Sequence, residues 1–127
     1  MGGNTINLNK LPILYSAETW QTWSEAVITY LRSQGVYRYV LGSVPYPVAP
    51  DSGPATNTMR EYQRDVQAYE DANEKAMGII CSAVSPGIRH EIVKKEKASE
   101  MWKVLTEKYD VVASVQSFEG LQTAITT

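Results

Sequence analysis

Between Trp20 and Leu31 the chain reads Trp-Gln-Thr-Trp-Ser-Glu-Ala-Val-Ile-Thr-Tyr-Leu. Its large apolar residues, Trp20, Trp23, Val27, Tyr30 and Leu31, are separated by steps of three, four, three and one. That is the spacing of one face of an α-helix and not the alternation of a strand. Two of the three tryptophans lie one turn apart on this face, and a face so apolar must be covered by other elements. The stretch therefore predicts a core helix, begun by Ser16 or Thr19 as N-cap, running to about Gln34 and stopped at Gly35.

The other elements share the same period. Val36 to Leu41 reads as a short helix closed by Gly42. The longest helix is predicted over about 58–83, where Tyr62, Val66, Tyr69, Ala72, Ala76, Ile79, Ile80 and Ala83 form one face and a charged, solvated face lies opposite. Gly78 inside it is read as a point of close packing against another helix. Ser85-Pro86 is an N-cap followed by proline at the first helical position and opens a helix over about 86–95, which is expected to bury Ile88, Ile92 and Val93. A break near Glu96 and Lys97 precedes a helix over 98–109 with Ala98, Trp102, Leu105 and Tyr109 on one face. Ser114 caps a last helix carrying Val115, Phe118, Leu121 and Ile125. Trp20, Trp23, Tyr69, Trp102 and Phe118 are the expected large core members.

The fold class is therefore all-α, a compact bundle of five or six helices. Residues 1–15 form an extended N-terminal arm whose Ile6, Leu8, Leu11, Ile13 and Leu14 need cover, and 16–127 form one helical domain. The stretch 42–57 holds four of the six prolines and reads as a long loop within that domain. At 127 residues the chain suffices for one core. The last helix is barely closed at Thr127, as at a cut between domains.

Composition excludes several function classes. A net charge of −2 argues against a dedicated nucleic-acid binder. No run approaches the roughly 18 apolar residues of a membrane span, and no secretory signal opens the chain, so the expected setting is cytoplasmic, without a membrane partner. The single cysteine, Cys81, lies in an apolar helical run and reads as a buried core thiol. With one cysteine and one histidine, His90, no Cys/His metal cluster can be built. Asp51-Ser52-Gly53 matches the aspartic-protease triplet in letters only, because it sits in a proline-rich loop and not after an apolar strand. The residues point to no enzyme, no cofactor and no metal.

Two sets of residues remain for contacts. Val36, Tyr37, Tyr46 and Val48, with the arm, are candidate assembly contacts. Arg89, Lys94, Lys95 and Lys97, interleaved with Glu91 and Glu96, are candidate RNA or anion contacts, weighed against a plain solvated helix end.

One ordered pattern carries more than these. Leu11-Pro12-Ile13-Leu14 is followed by Trp20-Gln-Thr-Trp23, Ala26 to Leu31, Gly35-Val36 and Tyr39-Val40. After the loop come Tyr69, Ala72, Asn73, Ala76, Ile79 and Ile80, then Ser85-Pro86-Gly87-Ile88, then Ala98-Ser-Glu-Met-Trp102-Lys-Val-Leu105 and Lys108-Tyr109. Over about 10–125 this order resembles the Gag polyprotein of copia-type LTR retrotransposons. The resemblance implies a retroviral-capsid-like N-terminal lobe that self-assembles into particles enclosing the element's RNA. It also implies a C-terminal lobe and a Cys-Cys-His-Cys zinc knuckle outside this chain, so that element RNA is expected to be held through regions beyond it. The proline-rich loop departs from the shorter family form. The alternative is a domesticated Gag-derived module that takes a peptide partner between helices and does not assemble.

Overall fold

The computed structural model describes residues 11–51 and 56–110. The expected helix at 114–125, with Phe118, and the arm residues Ile6 and Leu8 lie outside them. The described chain is all-α. A 3-10 turn over Ala17–Thr19 leads into α1 (Trp20–Ser33), α2 (Tyr37–Leu41), α3 (Thr56–Ser82), α4 (Pro86–Ile92) and α5 (Ala98–Tyr109).

The termini of α1 and α2 are set by backbone chemistry. Gly35 takes a left-handed φ of 75°, and Val36 N–H donates to Leu31 O at 3.1 Å while Gly35 N–H donates to Arg32 O at 3.0 Å. This is a Schellman closure, and it folds Val36 back against the apolar end of α1. Gly42, at φ 74°, closes α2 in the same way, with Ser43 N–H donating to Arg38 O at 3.1 Å. Neither Ser16 nor Thr19 makes a side-chain cap bond, contrary to the expected N-cap. Ser85 does cap α4: its Oγ accepts from Ile88 N at 3.4 Å, ahead of Pro86. Helix α4 ends at Ile92, short of the expected 95, in a turn where Lys95 N–H donates to Ile92 O, and Val93, at the C-cap, is exposed rather than buried as expected.

The core joins Trp23, Val27 and Leu31 of α1, Ala76, Ile79 and Ile80 of α3, Ile88 and Ile92 of α4, and Ala98, Met101 and Leu105 of α5. All three tryptophans meet. Trp23 stacks on Trp102 at 5.5 Å between ring centroids and 19° between planes, and Trp20 lies 5.3 Å from Trp23 and 5.6 Å from Trp102. Tyr69 and Trp102 are half-buried at the edge of the core rather than inside it.

The arm is tied down at Leu14. Leu14 N–H donates to Ala83 O and Ser85 N–H donates to Leu14 O, both at 2.9 Å, in an isolated parallel bridge to Val84. The indole Nε1–H of Trp23 donates to the same Ala83 carbonyl at 2.7 Å. Carbonyls left over at a helix C-terminus need such partners; Arg89 Nε donates to Cys81 O at 2.9 Å in the last turn of α3, and its Nη2 donates to Val84 O, just past the helix, at 3.3 Å.

Asn73 performs the matching task at the start of α5. Lys97, the N-cap residue, makes no side-chain cap bond. Instead the Oδ1 of Asn73, from α3, accepts from Ala98 N at 2.8 Å, and its Nδ2 donates to Glu96 O at 2.9 Å.

Two core expectations are corrected. Gly78 is exposed, and nothing lies within 4 Å of where a Cβ would sit, so no helix packs closely on it. An alanine there adds helix propensity without a clash. Gly78→Ala is expected to stabilise the domain by about 0.5–1 kcal/mol, read as a rise in melting temperature; an unchanged or lower value would contradict this assignment. Cys81 is only half-buried, its Sγ 4.0 Å from the Met101 sulfur.

Candidate functional site

The residues expected at contact surfaces are distributed by the fold into different environments. Val36 is 4% exposed, so it belongs to the core and is withdrawn as an assembly contact. Its burial is the direct consequence of the Schellman turn at Gly35. Tyr37 is half-buried and lies under the Arg32 guanidinium, 5.0 Å from ring centroid to Cζ. Such a cation–π contact holds both groups at the surface end of α1.

Tyr46 and Val48 sit on the loop after α2. Tyr46 packs edge-on against Tyr69 at 5.0 Å, and Tyr69 in turn meets Tyr39 at 5.3 Å. The Tyr46 hydroxyl donates to Glu70 Oε2 at 3.2 Å. Desolvation against α3, with the Glu70 carboxylate beside it, pushes the Tyr46 phenol above its ordinary pKa and keeps it a donor. Pro47 and Pro50 share a shallow hollow with Tyr62 of α3. The loop over 43–51 is thus laid along α3, and it presents Val48, which is 88% exposed. Asp51 is exposed in a bend, while Ser52 and Gly53 lie outside the described residues.

The basic segment divides. Arg89 is committed to the Cys81 carbonyl in the last turn of α3 and to the Val84 carbonyl just beyond it, so its guanidinium is a structural cap before it is anything else. Lys94, Lys95 and Lys97 are exposed. Lys94 and Lys95 border a hollow of about 610 Å³ that also touches Met77, Gly78, Cys81 and Met101. Burial raises the Cys81 thiol pKa, partly offset by Arg89, which keeps the group a neutral thiol at neutral pH. Glu91 faces α5, accepting from Tyr109 Oη at 3.2 Å and pairing with Lys108 Nζ at 3.1 Å. His90 is exposed on α4.

Leu41 is a surface residue that the sequence-based expectations missed. It is 57% exposed on α2 beside buried Val40, and it lines an open groove of about 540 Å³ between α2 and α5. The signal was present: Leu41 directly precedes the closing glycine and lies off the stripe of Val36 and Val40.

Among the described residues there is no group of three or more His, Cys, Asp or Glu side chains arranged to hold a metal, and no helix long and apolar enough to cross a membrane. No family model, no curated protein and no solved structure matches the chain.

Proposed function

We propose that this chain is the N-terminal capsid lobe of a copia-type Gag protein, a non-enzymatic domain that self-assembles in the cytoplasm into particles enclosing the element's RNA. The observation that carries the reading is where the resembling residues lie. Trp20 and Trp23, Ala76 to Ile80, Ile88 and the Ala98 to Leu105 stretch come from separate parts of the sequence and share one core around the tryptophan cluster. Motifs matched in order along a chain have a common physical reason to keep that order when they pack on one another.

The exposed residues are consistent with weak, repeated contacts. Val48 on the loop, Tyr15 on the arm and Leu41 on α2 are separated apolar surfaces rather than one large patch. Contacts of this kind gain strength when many copies engage around a closed shell. RNA contact through Lys94, Lys95 and Lys97 is secondary in this reading, since the chain as a whole is slightly acidic.

Sedimentation velocity and electron microscopy of the full-length protein carrying this lobe test the proposal. Assembly into large particles is expected, weakened by Val48→Asp. A protein that stays monomeric at high concentration while binding a peptide in fixed stoichiometry would replace this reading with the domesticated-adaptor alternative.

A further inference from the structure

Two hollows that share no residue carry opposite charge. The first lies where α1 turns into α2. It measures about 410 Å³ and is lined by Arg32, Gly35, Tyr37, Arg38 and Leu41, with no carboxylate among them. Both arginines are exposed and stand in the last turns of their helices, where a cation offsets the negative end of the helix dipole. That placement uses none of their donors. Arg32 lies over the Tyr37 ring, and neither guanidinium pairs with a carboxylate among the described residues.

The second hollow, of about 510 Å³, is bordered by Tyr46 on the loop, by Glu70, Asp71 and Glu74 of α3, and by Glu96 and Lys97 before α5. Glu70, Asp71 and Glu74 are spaced by one and three, so they share the exposed side of α3. Glu70 accepts from Tyr46 and Asp71 accepts from Gln67. No lysine or arginine among the described residues pairs with any of these carboxylates, and no ion pair joins the two hollows within one molecule.

The two surfaces match in a second respect. Each sets one exposed apolar side chain beside charges of mainly one sign: Leu41, 57% exposed, next to the arginines, and Tyr46, 44% exposed, next to the carboxylates. Two copies of the chain can therefore satisfy both surfaces at once, burying leucine on tyrosine inside a set of opposed charges. Because the surfaces differ, the contact is head-to-tail, and it closes into a ring or continues as an open array rather than stopping at a two-fold dimer. Exposed ion pairs are individually weak, so the contact gains its strength by repetition.

We infer that the Arg32–Arg38–Leu41 corner of one copy docks on the Glu70–Asp71–Glu74 face of α3 in a second copy, with Leu41 packed against Tyr46. The inference rests on the self-assembly proposed above and names the surfaces that would carry it. Charge reversal in the full-length protein carrying this lobe tests it, with the concentration at which particles form read by sedimentation velocity. Arg38 and Glu74 are both exposed, so Arg38→Glu and Glu74→Arg are expected to leave folding intact. Each variant alone is expected to raise the assembly concentration at least about tenfold, since like charges then face each other. An equal mixture of the two variants restores opposite charge at every contact, as does the chain carrying both changes, and each is expected to assemble within about twofold of wild type. Normal assembly by either variant alone would overturn this contact and leave self-assembly standing. Two impaired variants with no recovery on mixing would also overturn it, because each surface would then meet a different partner. A wild-type protein that stays monomeric would overturn the inference and the self-assembly reading together.

Discussion

Trp23→Ala is expected to lower the unfolding free energy by about 3–5 kcal/mol, the usual cost of emptying a buried aromatic site. That is a large part of the roughly 5–15 kcal/mol that holds a small domain together. Trp23 has no exposed surface, stacks on Trp102, touches Trp20, and donates its indole N–H to Ala83 O. The truncation removes the centre of the aromatic cluster joining α1 to α5 and one of the bonds joining α1 to the end of α3. Trp23→Phe separates these contributions. It keeps most of the apolar contact and loses the indole bond, but Ala83 O still accepts from Leu14 N–H, so no buried carbonyl is left unpaired. The phenylalanine variant is expected to lose about 1–2 kcal/mol. Urea unfolding monitored by far-ultraviolet circular dichroism reads both values. An alanine variant as stable as wild type would show that the tryptophan cluster is not the centre of the core.

The second large effect belongs to a polar residue. Asn73→Leu is expected to destabilise the domain by about 2–4 kcal/mol, although it replaces an amide by a side chain that helices tolerate well. Asn73 is 8% exposed, and its two amide atoms serve the Glu96 carbonyl and the Ala98 N–H at the break between α4 and α5. Leucine leaves both backbone groups unserved in a partly buried place, at about 1–3 kcal/mol for each orphaned group before water partly relieves it. The N-terminus of α5 loses its side-chain cap in the same step, because Lys97 offers none. Asn73→Asp is the informative companion: it keeps an acceptor for Ala98 N–H and presents a carboxylate oxygen to the Glu96 carbonyl. Intermediate stability is expected. If the leucine variant unfolds at the wild-type urea midpoint, the clamp is not holding α5.

These two residues differ in how far the sequence announced them. Trp23 was legible from the three-and-four spacing of its neighbours, as were the start of α4 at Ser85-Pro86 and the full extent of α5. Each depends on the period of the helix or on a capping residue adjacent in sequence. Asn73 carried no local sign of its role, because its partners lie 23 and 25 residues away. The same holds for the candidate contacts. Val36 read as exposed because a five-residue helix displays no clear face, and only the left-handed turn at Gly35 directs it inward. Arg89 read as part of a basic cluster because the Cys81 and Val84 carbonyls that occupy it are invisible in a list of charges.

By itself, the sequence determined that the described chain is helical, where most helices begin and end, and which helix supplies the centre of the core. Those properties arise from backbone hydrogen bonding within a few residues and from apolar side chains recurring at the helical period. The tertiary structure alone decided that the three tryptophans meet, that Gly78 faces solvent, that Leu14 and Trp23 share the Ala83 carbonyl, and that Leu41 is left exposed on a groove between α2 and α5. These depend on which helix face opposes which, and on where unpaired backbone groups find partners. Both are set by the packing of distant segments, which hydrophobic period does not encode.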